Sequence, residues 1–197
     1  AAYGGKERIA GIKQLMAAMR MNGLGQQFEV RVYQSREKIR MDRISVQQEI
    51  HVFDGQDAFI VLHGQRMPAS ESLRNYLQAQ VHKGILQAAK LSEYLGKDTY
   101  VKYQGHQRYS GNTFVVIGTQ DISGHLVEHF FDQNSYREVW EITKMDTGDE
   151  IQHFDSYRVV EGILYPEKTT TLSANGEIIS SMELITISDK FNDTVFQ

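Results

Sequence analysis

The sequence predicts an α+β fold in which one large, strongly curved antiparallel sheet of about eleven strands carries helices on its concave face. Three observations predict it. Apolar and polar residues alternate over most of the chain, the period of a half-buried strand. The alternating runs follow one another through short, turn-rich connections, which does not fit alternating βαβ units. Only two segments show the three- and four-residue spacing of an amphipathic helix.

The first helical segment covers residues 6–21, where Ile9, Ile12, Met16 and Met19 recur at helical spacing and Asn22-Gly23 supplies a stop. Four strands follow as a meander. Phe28, Val30 and Val32 alternate with Glu29, Arg31 and Tyr33, and Ile39 and Met41 alternate with Lys38, Arg40 and Asp42. Ile50 and Val52 alternate with Glu49, His51 and Phe53, and Asp54-Gly55 turns the chain into residues 58–62. The second helical segment begins after Pro68, with Ser70 as N-cap and Glu71 near the positive end of the helix dipole. Leu73, Leu77, Val81, Ile85 and Ala88 form its apolar stripe, continuing towards Leu91 and Leu95. Gly84 is a point of division and Gly96 an end.

Seven further strands are expected, at 99–104, 113–120, 125–131, 137–144, 150–160, 164–172 and 177–188. Ser123-Gly124, residues 132–135, Thr147-Gly148 and Asn175-Gly176 turn between them, the last reading as a type I′ hairpin. A chain of 197 residues suits one domain over residues 1–197, long enough to bury a core without staples.

Composition excludes several functions. There is no cysteine, which removes thiol nucleophiles, cysteine-based zinc sites, iron–sulfur clusters and disulfides. Twenty-one Lys+Arg against 25 Asp+Glu, interspersed, give a net charge of −4 and no basic patch, so nucleic acid is not an expected partner. The longest stretch free of charged residues, 109–120, is too short to span a membrane. No signal peptide is visible, and the Ala1-Ala2-Tyr3-Gly4-Gly5 opening without an initiator methionine reads as a processed product.

The short motifs weaken on inspection. His125-Leu126-Val127-Glu128-His129 matches the H-x-x-E-H of inverted zinc proteases, but that chemistry needs a helix. Between Gly124 and the 132–135 turn it is a strand, on which the two histidines stand roughly 13 Å apart. Asp132-Gln133-Asn134 begins like a calcium loop and then places Tyr136 and Arg137 where a ligand and a glycine belong, so it is a hairpin turn. His51, His63 and His153 fall in or beside strands as scattered, satisfied histidines. No nucleophile elbow, dinucleotide fingerprint or phosphate loop occurs. No catalytic residue, metal site or cofactor is therefore expected, and the chain does not read as an enzyme. Arg40, on pattern alone, belongs to a polar face with Lys38 and Asp42 as neighbours. Met16, Met19, Met21 and Met41 suit either gap-filling or an adaptable apolar surface.

Several of these segments, in this order, resemble the LolA-like family of bacterial outer-membrane lipoprotein carriers. They are the N-terminal helical segment, Val32-Tyr33-Gln34, Lys38-Ile39-Arg40-Met41-Asp42 and Val52-Phe53-Asp54-Gly55-Gln56-Asp57-Ala58-Phe59. The closing part adds Phe131-Asp132, Phe154-Asp155-Ser156-Tyr157-Arg158, Val160-Glu161-Gly162-Ile163-Leu164-Tyr165-Pro166 and Phe191-Asn192-Asp193. The chain departs from the family in Ser35-Arg36-Glu37, where a proline is common, and at Phe59, where a tryptophan is common. The resemblance implies an incomplete barrel around an apolar cavity, helices as its lid, and Arg40 as the strand arginine that contacts the lid. It also implies a periplasmic location, with a membrane anchor only if a lipidated N-terminus has been trimmed. The implied partners are lipid or lipoprotein acyl chains, an inner-membrane releasing complex and an outer-membrane receptor.

Physics points the same way. Two short helices cover only part of a strongly curved sheet's apolar face, and each acyl CH₂ buried in the remainder contributes about 0.8 kcal/mol. The expected cavity residues are Phe28, Val30, Val32, Ile39, Met41, Ile50 and Val52 from the first meander, with Phe114, Val116 and Trp140 from the later strands. The expected function is carriage of lipid or lipoprotein acyl groups to the outer membrane. The first rival is an extracytoplasmic sensor or interaction module of the same fold, with lipid as its regulator. The second is an enzyme acting on a lipid or small ester, for which the sequence offers no nucleophile–base spacing.

Overall fold

The computed structural model describes residues 6–23, 25–81, 101–120, 124–145 and 148–197. The first half contains α1 (Lys6–Gly11), β1 (Gln14–Gly23), β2 (Gln26–Ser35), β3 (Ile39–Ile44), β4 (Glu49–Phe53), β5 (Ala58–Leu62), β6 (Gln65–Pro68) and α2 (Glu71–Val81). The second contains β7 (Val101–Tyr109), β8 (Asn112–Gln120), β9 (Leu126–Asp132), β10 (Glu138–Thr143), β11 (Glu150–Val160), β12 (Ile163–Leu172) and β13 (Ile178–Ser188). A 3-10 turn, Asp193–Phe196, follows. The thirteen strands form one open antiparallel sheet, ordered β6-β5-β4-β3-β2-β1-β13-β12-β11-β10-β9-β8-β7. No helix among the described residues is long and apolar enough to cross a membrane.

Strand count and helix content differ from expectation. The expected helix over 6–21 is a helix only to Gly11, and residues 14–23 are β1, paired along their whole length with β2. Leu15, Ala17, Met19 and Met21 also alternate, and pairing with Gln34, Val32, Val30 and Phe28 outweighs the helical propensity of alanine and methionine. The other additional strand, β6, is exposed throughout and so lacks any alternation to read. His63 and Gly64, both at positive φ, form the two-residue turn that leads into it. The Ser173–Glu177 hairpin is a three-residue loop with Gly176 at φ 83° and Asn175 outside the positive-φ set, rather than the expected type I′ turn.

The chain divides into two compact units. The N-terminal unit, Lys6–Glu93 with Glu183–Gln197, has an apolar layer on each side of its strands. On one side α2 seats Leu77 and Val81 against Ile39 and Phe53, flanked by Val32, Met41, Ala58 and Leu73. Ser70 caps the helix as expected, its Oγ accepting from Leu73 N at 3.3 Å. At the other end buried Gln34 donates from Nε2 to the Val81 carbonyl at 2.9 Å and to the Gln80 carbonyl at 3.1 Å, satisfying acceptors of the last turn. The expected continuation of the stripe, from Ile85 to Gly96, lies outside the described residues. On the opposite side Phe196 packs on Val52 and Phe59, with Tyr33, Ile50, Val61, Phe191 and Val195 around them.

The other unit, Tyr94–Met182 with Ala1–Gly5, is organised around Phe114, Val116, Phe130 and Ile142. Tyr109, Val139, Trp140 and Ile151 pack on this cluster. Residues 126–129 are strand, within β9, rather than helix. Asp132 closes the next turn by accepting from Ser135 N at 2.7 Å and Asn134 N at 3.1 Å. Those hydrogen bonds, with one from the Ser135 hydroxyl, hold its carboxyl below the ordinary aspartate range.

Leu77 is fully buried on the α2 interface. Leu77→Ala is expected to destabilise the protein by roughly 2–5 kcal/mol, read as a lower urea midpoint with unchanged slope. A loss below about 0.5 kcal/mol would show that the α2 layer is not a packed core.

Candidate functional site

The site begins with strand register. Val32 stands opposite Met41, Met41 opposite His51, Ile39 opposite Phe53 and Phe53 opposite Ala58. Cross-strand partners share a face, so Phe28, Val30, Val32, Ile39 and Met41 lie on the α2 side together with Leu15, Ala17, Met19 and Met21. Five of the seven expected residues in this unit are thereby brought together. Ile39 and Val30 are buried, whereas Phe28, Val32, Met41, Met19 and Met21 stay half-buried. The Arg43 guanidinium lies 4.3 Å from the Phe28 ring centroid, placing a cation at one border of the surface.

Ile50 and Val52 are not part of it. The β3–β4 register aims Phe53 at α2 and turns Val52 to the opposite side, beneath Phe196. β4 is apolar on both faces, so alternation alone could not orient it.

Arg40 also lies on that opposite side. Nε donates to Asp42 Oδ1 at 2.6 Å, Nη2 to Asp42 Oδ2 at 2.9 Å and Nη1 to the Val195 carbonyl at 2.8 Å. The Asp42 side chain is 7% exposed, so this fork satisfies a buried carboxylate. The Asp42 hydrogen bond raises the guanidinium pKa further, against the opposing effect of burial. Among the described residues, Arg40 thus contacts the C-terminal 3-10 turn. A polar cleft of about 470 Å³ borders that turn, lined by Lys38, Asp54, Gln56, Arg66, Asn192 and Gln197 among others.

In the other unit Phe114, Val116 and Trp140 do share one face, as members of a single aromatic cluster. Tyr109 meets Phe130 and Trp140 at ring-centroid distances of 5.2 Å, and Phe114 meets Phe130 edge-on at 6.1 Å. His153 stacks on Trp140 at 4.0 Å and pairs with Asp155, while His51 pairs with Glu49, so both are satisfied histidines.

The reverse face of this unit carries a group that sequence reasoning passed over. His129 Nδ1 lies 2.5 Å from Glu138 Oε1 and 3.5 Å from Glu141 Oε2, and Nε2 lies 2.9 Å from the Thr119 hydroxyl. Glu141 faces His129 directly across β9–β10, but strict alternation would send Glu138 to the other side. A register shift between Glu138 and Trp140 reverses it. Burial alone would lower the His129 pKa. The Glu138 hydrogen bond and charge, with the charge of Glu141, outweigh burial and hold it above 6.5.

No protein-family model matches the sequence, and no curated protein is significantly similar to it. Solved structures are. A LolA superfamily protein from Nitrosomonas europaea superposes with a TM-score of 0.63 at 15% identity, covering 97% of this chain and 94% of its own. A domain described as an outer membrane lipoprotein-sorting protein, from Vibrio parahaemolyticus, gives 0.64 at 10% identity over 97% and 92%. A DUF1329 family protein from Desulfovibrio piger gives 0.63 at 10% identity over 98% and 92%. The fold is LolA-like.

Within this LolA-like fold, the C-terminal turn as the cover of one face was the feature least visible in sequence. Its signal was the trio Phe191, Val195 and Phe196 after the last strand, with Asn192 as a cap that accepts from Thr194 N at 3.0 Å.

Two predictions follow from these charged groups. Arg40→Leu leaves the buried Asp42 carboxylate without its fork and is expected to cost about 3 kcal/mol in chemical denaturation, whereas Arg40→Leu with Asp42→Leu recovers most of the loss. A double variant as unstable as the single one would show that the pair is not the reason. For His129, the folded pKa exceeds 6.5, so the stabilisation it gives is fully present below the unfolded value and is lost as pH rises through the folded value. The wild type should therefore lose its stability advantage over His129→Gln across that window, and an NMR titration should place this ring above ordinary histidine. A ring titrating at or below 6.5 contradicts the assignment.

Proposed function

We propose that this protein binds lipid, or the acyl part of a lipoprotein, against the α2-bearing apolar face of its N-terminal unit and carries it through the periplasm to the outer membrane. The observation that carries the reading is the half-buried methionine and phenylalanine surface on the α2-bearing face. Met19 and Met21 on β1, Phe28 on β2 and Met41 on β3 share one face. Thioether side chains are unbranched and adapt to irregular apolar guests, so the surface suits acyl chains that differ in length and position. The LolA-like fold supports the same reading, since the structures it resembles include a domain described as lipoprotein-sorting. Affinity of this kind needs no catalytic group, cofactor or metal, because acyl burial supplies about 0.8 kcal/mol per CH₂. We therefore read the chain as a carrier rather than an enzyme, delivering to membrane partners on either side of the periplasm.

Native mass spectrometry followed by organic extraction tests this. The expected result is co-purifying acyl species that a fluorescent fatty-acid probe displaces. Met19→Glu, on the same face and away from the buried α2 contacts, is expected to weaken the probe about tenfold or more with the circular dichroism spectrum unchanged. A protein that purifies empty and also refuses the probe would overturn the proposal and favour an interaction module of the same fold.

A further inference from the structure

We propose that His129, Glu138 and Glu141 form a binding site for one first-row divalent cation, with Zn²⁺ the best match, that clamps β9 to β10 on the face opposite the aromatic cluster.

The donor set is one imidazole nitrogen and two carboxylates, whose ligand atoms all lie within 4.8 Å of one another. This mixture suits Zn²⁺ or its first-row neighbours better than the all-oxygen shells of Ca²⁺ and Mg²⁺. Two ligands on a tetrahedral Zn²⁺ at about 2.0–2.1 Å stand about 3.3 Å apart. The Glu141 oxygen is already 3.5 Å from Nδ1, and the Glu138 oxygen, at 2.5 Å, needs to retreat by less than its own side-chain freedom allows. The side chains are 21%, 18% and 21% exposed, so the site is sheltered yet reachable, and water can complete the shell.

Three further features make this more than a chance cluster. All three ligands sit on paired strands, which fixes their spacing better than loops do. The register shift at Val139 is what turns Glu138 onto the His129 face, and bulges commonly serve to re-aim one side chain. Thr119 on β8 supplies the outer partner that metal-bound histidines use, its hydroxyl lying 2.9 Å from Nε2. With Nε2–H donated to Thr119, the imidazole presents Nδ1 to the two carboxylates. Cation binding at Nδ1 then releases the proton held there and needs no ring rotation.

The experiment uses the full chain, stripped with EDTA and titrated with Zn²⁺ by calorimetry near neutral pH. The expected result is one equivalent bound, with proton release that scales with buffer ionisation enthalpy. Glu141→Gln is expected to weaken binding tenfold or more, Thr119→Val to weaken it about tenfold, and His129→Gln to abolish it. His51→Gln and His153→Gln, which remove two histidine–carboxylate pairs elsewhere, should leave it unchanged. X-ray absorption on wild-type protein with Zn²⁺ provides a test that needs no variant, and should show one imidazole among oxygen ligands. Absence of stoichiometric binding, insensitivity to Glu138→Gln and Glu141→Gln, or a spectrum with two or more imidazoles would each overturn the site.

Discussion

Residues 39–42 of β3 are covered on both faces, and the N-terminal unit is arranged around that constraint. One face of β3 presents Ile39 and Met41, which belong under α2. The other presents Arg40 and Asp42, which an apolar cover would leave unpaired. The fork from Arg40 to Asp42 resolves this, and its remaining Nη1 reaches the Val195 carbonyl. A buried ion pair is weak evidence of added stability, because desolvation offsets most of the attraction. Its contribution here is positional. The guanidinium fixes where the C-terminal turn sits, and that placement puts Phe196 over Val52 and Phe59, with the Lys38 ammonium 5.9 Å from the Phe196 ring centroid.

The strand skeleton was legible because alternation and turn chemistry agree over most of the chain. β11 was read to its full length, and β8, β9, β10, β12 and β13 to within a residue or so at either end. β1 is ambiguous in its pattern. Residues 14–22 satisfy a helical spacing through Met16 and Met19 and a strand spacing through Leu15, Ala17, Met19 and Met21. Two periodicities fit the same letters, and only pairing on β2 separates them. β6 is the converse case, an edge strand with no buried side to leave a pattern. Its signal was His63-Gly64, which shares its positive-φ pair with Ser110-Gly111 and Glu161-Gly162.

The site was less legible than the fold, for a reason specific to sheets. Alternation sorts residues into two sets within each strand, but which set joins which on the neighbouring strand depends on register. For β3 the sorting sufficed, since Ile39 and Met41 are apolar and Arg40 and Asp42 are charged. For β4 it did not, because Ile50, Val52 and Phe53 put apolar groups on both faces. His129 shows the same limit in polar form. It was singled out with His125 along one strand, yet its partners lie across the ladder on β10, and one of them faces it only through an irregularity no periodicity announces.

The two apolar faces differ in a way that bears on carriage. In the unit built from β7 to β12, Trp140 meets Tyr109 and Phe114 meets Phe130 in edge-on ring contacts, with Val116 and Ile142 packed in the same cluster. Rings held in such geometry have few alternative rotamers, and a guest would have to break several favourable contacts to enter. That cluster is a core. On the α2-bearing face the half-buried residues include Met19, Met21 and Met41, which repack at low cost because an unbranched thioether side chain has many accessible rotamers. Of the residues that sequence singled out for an acyl cavity, Phe28, Val30, Val32, Ile39 and Met41 share the α2-bearing face, with Ile39 in the core under the helix and Phe28, Val32 and Met41 half-buried. Phe114, Val116 and Trp140 stand where the protein accommodates itself, and Ile50 and Val52 hold the C-terminal turn. The distinction rests on side-chain stiffness rather than hydrophobicity, since both faces are equally apolar in kind.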